Sequence, residues 1–386
     1  MISSKGFHKI ALRIENIDDI LKSSDDLTSF RILANAKGDL PTLEIDFTSN
    51  DPEVFRVTNE SNLLILSVGK NDEILETKWR IKFPKVQKMG VDKYRYVLSC
   101  TLDANKYMNS NLVQVIQGTS EDAISKVISD TSLELDSKVS CDDSMNWIQN
   151  SSPFRFLQDT YLRYWSGDSS TCACVAITLD KKLRYYDLKL HMDEKRSSPD
   201  LECSLGYSPD LVVGDYFSIE PGDGMLNVVA GYGRTLLQYD IDTGVSSQIK
   251  PNIEKSLFET QASDSQKFTL EKGLSARPLP PQPICVDNVH ENWNVAYAQN
   301  ITRLALASTT TLSIQFNGEL LFLNPLDVVT VVGQEIKSQT NSSSNSYNYT
   351  YSGLYLVSGY CLVYQDGLLI TKVDLTRDAN SDVKVG

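Results

Sequence analysis

The sequence predicts a mainly β fold with α+β insertions: two similar small antiparallel β-barrels, a small α+β domain and a helix-containing insertion. Three observations predict it. Apolar and polar residues alternate with period two from about 8 to 117 and again after 310, the pattern of half-buried strands. Turn residues punctuate the second stretch, at Asn317-Gly318 and at Gln365-Asp366-Gly367. Helical apolar spacing is confined to the middle of the chain.

Residues 1–118 read as the first barrel. His8–Ile14 opens the alternation, Pro41–Phe47 repeats it, and Leu63–Val68, Thr77–Phe83 and Tyr94–Leu102 continue it, with a turn at Gly69–Asp72. Glu15–Leu21 reads as a short helix or a long loop. Residues 119–200 read as the α+β domain. Thr119 and Asp122 have capping-box spacing, followed by a stripe of Ile124, Val127 and Ile128. Ser152-Pro153 supplies an N-cap and an N1 proline to a second helix, with Phe154, Leu157, Tyr161 and Trp165 on one face. Strands Ala173–Leu179 and Leu183–Leu190 follow, joined at Asp180–Lys182.

The second barrel is split between 201–250 and 305–378. Its early strands are Ser218–Glu220, Leu226–Ala230 and Thr235–Tyr239. The insertion, 251–304, contains the stiff segment Pro278–Pro283. It ends in the best helical pattern of the chain, Asp287 to Ala307, with Val289, Trp293, Ala296, Tyr297, Ile301 and Leu304 as its core face. Thr311–Phe316 then hairpins through Asn317-Gly318 into Leu320–Leu323. Pro325–Val332, Ser352–Tyr364 and Leu368–Leu375 complete the unit, around a polar loop at Gln334–Tyr351. Residues 379–386 form a polar tail.

At 386 residues the chain exceeds the size at which single cores stop growing. Its 41% apolar content and mean hydropathy of -0.24 suit a soluble protein with more than one core. No run reaches the roughly 18 apolar residues of a spanning helix, and Met1–His8 is too polar for a secretory leader. A net charge of -13 argues against a protein that grips phosphates. An acidic wall would instead repel DNA sliding past it.

Seven scattered cysteines contain no C-x-x-C pair. Cys172 and Cys174, two apart on one strand face, have a spacing that holds metal or simply packs in a core, and the three histidines lie far from them in sequence. Asp240–Gly244 resembles the start of a calcium loop, but Val245 and Pro251 stand where its glycine and bidentate glutamate belong. The glycine pairs at Gly222/Gly224 and Gly231/Gly233 do not complete a nucleotide-binding turn. Asp18-Asp19, Asp25-Asp26 and Asp142-Asp143 are paired carboxylates that read as solvated faces. No residue stands out as catalytic, cofactor-binding or metal-ligating.

The order of these parts resembles the central hub protein of contractile phage tails and related injection machines. The residues that carry the resemblance are the helix Trp293–Leu304, Asn317–Val329, Ser352-Gly-Leu-Tyr-Leu-Val357 and Leu368–Thr376. A "Pro-Gly-Asp" corner precedes the "Ser-Gly-x-Tyr" strand in that family, and here the corner is Pro325-Leu-Asp327. The resemblance implies a non-enzymatic baseplate protein of the virion, assembled in the host cytoplasm. It implies a homotrimer whose six barrels form a pseudo-sixfold ring. That ring joins the hexameric tail tube to the trimeric spike, meets other baseplate proteins and surrounds passing DNA without sequence-specific binding. No cofactor and no membrane insertion are implied. The endings Leu98–Asn105 and Val373–Asn380 share letters, as duplicated barrels do. A receptor-binding fibre protein, or a cell-wall or capsule glycoside hydrolase, is the rival reading.

Overall fold

The computed structural model describes residues 2–3, 8–15, 17–70, 73–205, 213–220, 236–240, 244–249, 258, 279–284, 289–308, 310–317, 320–335 and 346–378. The calcium-like loop, both glycine pairs, Leu226–Ala230 and the polar tail lie wholly or largely outside these residues.

The chain is mainly β. Strands β1 (Ile2–Ser3), β2 (His8–Ile14), β3 (Leu27–Asn35), β4 (Thr42–Ser49), β5 (Leu63–Lys70), β6 (Glu73–Lys88) and β7 (Tyr94–Leu102) form the first unit, with helices α1 (Pro52–Val57) and α2 (Asn105–Asn109). The middle segment holds β8 (Leu112–Gly118), α3 (Ser120–Ile128), β9 (Glu134–Lys138), β10 (Met145–Ser151), α4 (Pro153–Thr160), β11 (Ala173–Ile177), β12 (Lys182–Asp187) and α5 (Leu188–Lys195). Strands β13 (Leu201–Leu205) and β14 (Val213–Glu220) begin the second unit. A separate three-stranded sheet follows, of β15 (Leu236–Asp240), β16 (Ser246–Ile249) and β17 (Leu279–Ile284). Helix α6 (Trp293–Ala307) then leads to β18 (Thr310–Asn317), β19 (Val328–Glu335), β20 (Ser346–Gln365) and β21 (Leu368–Arg377).

The expected pair of closed barrels is instead one continuous sheet of 13 strands, with the path β1-β2-β5-β6-β7-β4-β3-β20-β21-β18-β14 and β13 and β19 branching from β20. Closure of the first unit needs β3 to meet β2. The free edge of β2 is taken by β1, and that of β3 by β20 from Asn35↔Gly359 to Ser29↔Gln365. Buried cross-strand pairs seal this seam: Phe30 stacks on Tyr364 with centroids 5.6 Å apart, Ile32 opposes Leu362 and Ala34 opposes Tyr360. Each of the larger of these side chains contributes on the order of 2 kcal/mol by burial. The two units therefore share one core, with Leu12, Trp79 and Tyr96 in the same cluster as Leu312, Tyr355 and Val373.

Local chemistry sets several boundaries. Thr119 and Asp122 form the capping box of α3, and the Ser152 hydroxyl accepts from Arg155 N at the start of α4. Asp366 and Gly367 both have positive φ (52° and 79°), the two-residue type I′ turn that joins β20 to β21. Other expectations fail for physical reasons. Leu320–Leu323 forms no strand beside β18, which is already paired on both edges, by β21 and β14, and Gly318 of the expected turn lies outside the described residues. The second strand of the α+β domain stops at Asp187, whose carboxylate caps α5 by accepting from Leu190 N. The polar loop is shorter than expected, since Gly333–Glu335 pairs with Ser346–Asn348. Among the described residues no helix is long and apolar enough to cross a membrane.

Helix α6 departs most from its expected stripe. Tyr297, Ile301 and Leu304 are only half-buried, while Gln299, Asn300 and Arg303 are buried. Gln299 Nε2 donates to Thr171 O (2.6 Å) and Asn300 Nδ2 to Leu162 O (3.0 Å) and Tyr164 O (2.8 Å). Arg303 Nη2 donates to Ser169 O (3.1 Å). The helix docks by satisfying loop carbonyls, which an apolar stripe does not reveal.

Candidate assembly surface

The long sheet contains a repeat. In its path, β6-β7-β4-β3 is followed by β20-β21-β18-β14, and both quartets run in the same chain order: β3, β4, β6, β7 and β14, β18, β20, β21. Strand β5 flanks β6 as β19 flanks β20. The match extends to single hydrogen bonds. Ser61 N donates to Ile81 O and Ile81 N to Asn62 O; Leu326 N donates to Val357 O and Val357 N to Asp327 O. The register shifts after Ile81 in the β6–β7 ladder and after Val357 in the β20–β21 ladder. Leu98–Asp103 thus corresponds to Val373–Asp378, which are the similar endings in the sequence.

The repeat leaves two unequal edges. In β20 the segment Gly359–Gln365 pairs with β3. The corresponding half of β6, Lys82–Lys88, pairs with β7 and with no other described strand, because the β5 ladder ends at the pair Leu63↔Arg80. Strand β14 pairs only with β18 among the described strands. The free half of β6 carries Lys82, Lys85 and Lys88, while β14 carries Asp215 and Glu220. Phe83 stands 71% exposed on this half, and Pro84 occupies it as proline does on edge strands.

Between these edges the outward sheet face is concave. A groove of about 540 Å³ crosses β20, β3, β4, β7 and β6, lined among others by Val363, Arg31, Asp46, Ser99 and Lys85. The outward charges on β7, β4, β3 and β21 balance: Arg31, Arg95 and Lys372 against Glu44, Asp46 and Asp374. Arg95 pairs with Asp46 at 2.6 Å. The overall acidity is therefore not concentrated on this face.

Behind the second quartet lies the Pro325–Asp327 corner. Leu326 takes φ 73°, a conformation costing a non-glycine residue about 1–2 kcal/mol. The corner is tied to the α+β segment by Arg184, which donates to Asp327 (2.6 Å) and Pro325 O (2.8 Å). It is also tied by His191, whose Nε2 lies 2.7 Å from Leu326 O. A carbonyl only accepts, so Nε2 carries the proton, and burial holds the imidazole below its ordinary pKa. The Ser352–Tyr355 motif is a cradle for the buried Arg377. Ser352 O accepts from its Nη1 (2.9 Å), the Tyr355 ring lies 4.4 Å from its guanidinium carbon, and a Cβ on Gly353 would come within 3.2 Å of Nη1.

The residues with chemical potential serve packing. Cys172 and Cys174 are buried among Leu188, Met192, Ala307 and Leu326, and burial pushes the Cys172 thiol up to about 12. Asp143 is buried rather than solvated, accepting from Ser120 N (2.9 Å), and burial raises its pKa. Asp26 caps a short 3₁₀ turn. Among the described residues no three His, Cys, Asp or Glu gather as a metal site.

No protein-family model matches the chain, and no curated protein sequence does. Solved structures do. A tail protein from Neisseria meningitidis is similar with a TM-score of 0.57 and 12% identity, covering 96% of this chain and 97% of that one. The 43 kDa tail protein of prophage MuSo2 from Shewanella oneidensis has a TM-score of 0.58 and 9% identity over 97% and 100%. A prophage tail protein from Listeria monocytogenes has a TM-score of 0.51 and 10% identity over 95% and 94%. The chain has the fold of phage tail proteins.

Proposed function

We propose that the chain is a structural, non-catalytic protein of a phage tail, the central hub of the baseplate. Three copies form a pseudo-sixfold ring that adapts the hexameric tail tube to a trimeric spike and surrounds the DNA path. The observation that carries this reading is the repeat and its unequal edges. Inside one chain, β3 pairs with the second half of β20. By the repeat, β14 corresponds to β3 and the free half of β6 to that half of β20. Pairing β14 of one copy with β6 of the next reproduces the internal seam between copies. Such a head-to-tail contact closes into a ring when the rotation permits, and three chains supply six quartets. The three lysines of the free half of β6 disfavour pairing of two such halves with each other. The concave face would then line the channel, with balanced charge that neither grips nor strongly repels DNA.

The ring belongs to the virion and is assembled in the host cytoplasm. Its partners are its own copies, the tail tube and spike proteins, and other baseplate proteins. Electron microscopy of the purified chain tests the reading. Rings with six similar lobes and a central channel are expected, and particles of a single copy at every concentration would overturn it.

A further inference from the structure

Strand β10 leaves one long edge bare. Its other edge pairs with β8 from Met145↔Gly118 to Ser151↔Leu112, and no further described strand meets it. A groove of about 540 Å³ is lined by consecutive residues from Met145 to Ile148, then Asn150 and Ser151. Consecutive strand residues point to opposite faces, so a groove that touches both runs along the edge. Its far wall is α4 with its 3₁₀ extension, where Arg155, Asp159 and Arg163 recur every four residues; Trp293 also lines it.

Three features describe the occupant. Strands β8 and β10 contain no charged residue, and their outer face exposes Val113 (82%), Val115 (64%) and Ile148 (66%). A two-stranded ribbon is marginal alone and gains by a third strand, whose backbone would satisfy the bare edge. Among the described residues neither Arg155 nor Arg163 forms an ion pair with a carboxylate, although Arg163 donates to Asp159 O (3.2 Å) and lies 5.7 Å from the Tyr297 ring centroid. We propose that an extended segment of another tail protein adds to β10 as a third strand. Alternate apolar side chains would lie beside Ile148 and extend the apolar outer face, with a carboxylate at the Arg155–Arg163 wall. The proposal rests on the structural tail role above for the source of the strand.

The test uses the full chain and a labelled peptide of alternating valine and threonine with a glutamate at each end. A control peptide carries lysine in place of both glutamates. Fluorescence anisotropy is expected to show the glutamate peptide binding about tenfold tighter than the lysine peptide. The Arg155→Glu/Arg163→Glu variant should reverse that order. Amide exchange along Met145–Ser151 should slow when the glutamate peptide is bound. Binding of neither peptide, equal binding of both, or unchanged β10 exchange would overturn the proposal. Protection of β10 that rises with protein concentration alone would assign the edge to a second copy, and would also overturn it. A ring-forming chain that binds neither peptide sinks the strand site alone. A monomer that binds the glutamate peptide sinks the ring alone.

Discussion

The two quartets of the long sheet share strand order, hairpins and register shifts, yet they fill equivalent positions with different chemistry. In the first, Trp79 lies opposite Leu102 in an apolar pair, and Asn62 follows a positive-φ Ser61 (71°). In the second, the same places hold Tyr355, Arg377, Asp327 and Leu326. The first quartet ties its corner with the partly exposed Arg80, whose guanidinium donates to Ser61 O and pairs with Asp103. The second uses the buried guanidinium of Arg377 and the largely buried one of Arg184, which comes from the α+β segment. The difference lies in how deeply each anchor sits: Lys181 of the α+β segment reaches the first quartet at the partly exposed Asp103, whereas Arg184 holds the second at the buried Asp327.

The largest expected effect breaks that anchor. Asp327→Ala leaves the largely buried Arg184 without its nearer carboxylate, only Asp136 remaining at 3.9 Å, and should destabilise the chain by about 3 kcal/mol in denaturant unfolding. The equivalent Asn62→Ala removes one hydrogen bond, to Val57 O, and should cost about 1 kcal/mol. Equal costs would end the contrast between the corners. Arg377→Leu imports the residue of the first quartet into the second. It leaves the Ser352 carbonyl without its Nη1 donor and should cost about 1–3 kcal/mol by the same measurement.

Acid should act on the second corner through His191. Its folded pKa lies below the ordinary 6.5, so the unfolded chain binds more protons as pH falls. Its share of stability is complete above about 6.5 and is lost as pH drops below it, by at most about 1.4 kcal/mol per pH unit. The stability difference between wild type and His191→Gln should therefore shrink between pH 7 and pH 5. A constant difference would show that the imidazole does not titrate there. The smallest effect concerns the shared left-handed residue. Leu326→Gly should be more stable than Leu326→Ala by about 1 kcal/mol, and Ser61→Gly than Ser61→Ala by a similar amount, because only alanine keeps the φ strain.

Much of this was legible in the sequence, and the rest was not for identifiable reasons. Period-two alternation located β2, β4, β5, β6, β7 and β21, and cap residues located α3 and α4. The sharing of letters between Leu98–Asn105 and Val373–Asn380 was a true structural correspondence over its described part. Closure was not legible, because alternation says which face is buried and nothing about which strand takes an edge. The docking of α6 was missed because amide and guanidinium groups on its buried face bond to carbonyls far away in sequence. The edges of β6, β10 and β14 that meet no further described strand are properties of pairing and have no composition signal of their own.

The central claim is that the open edge of β6 meets β14 of the next copy. Light scattering of the purified chain alongside a Lys82→Glu/Lys85→Glu/Lys88→Glu variant tests it most directly. The account predicts three times 43.1 kDa for the wild type and 43.1 kDa for the variant, with the same unfolding midpoint for the monomer. A wild type that stays monomeric at every concentration, or a variant that still forms the trimer, would contradict it.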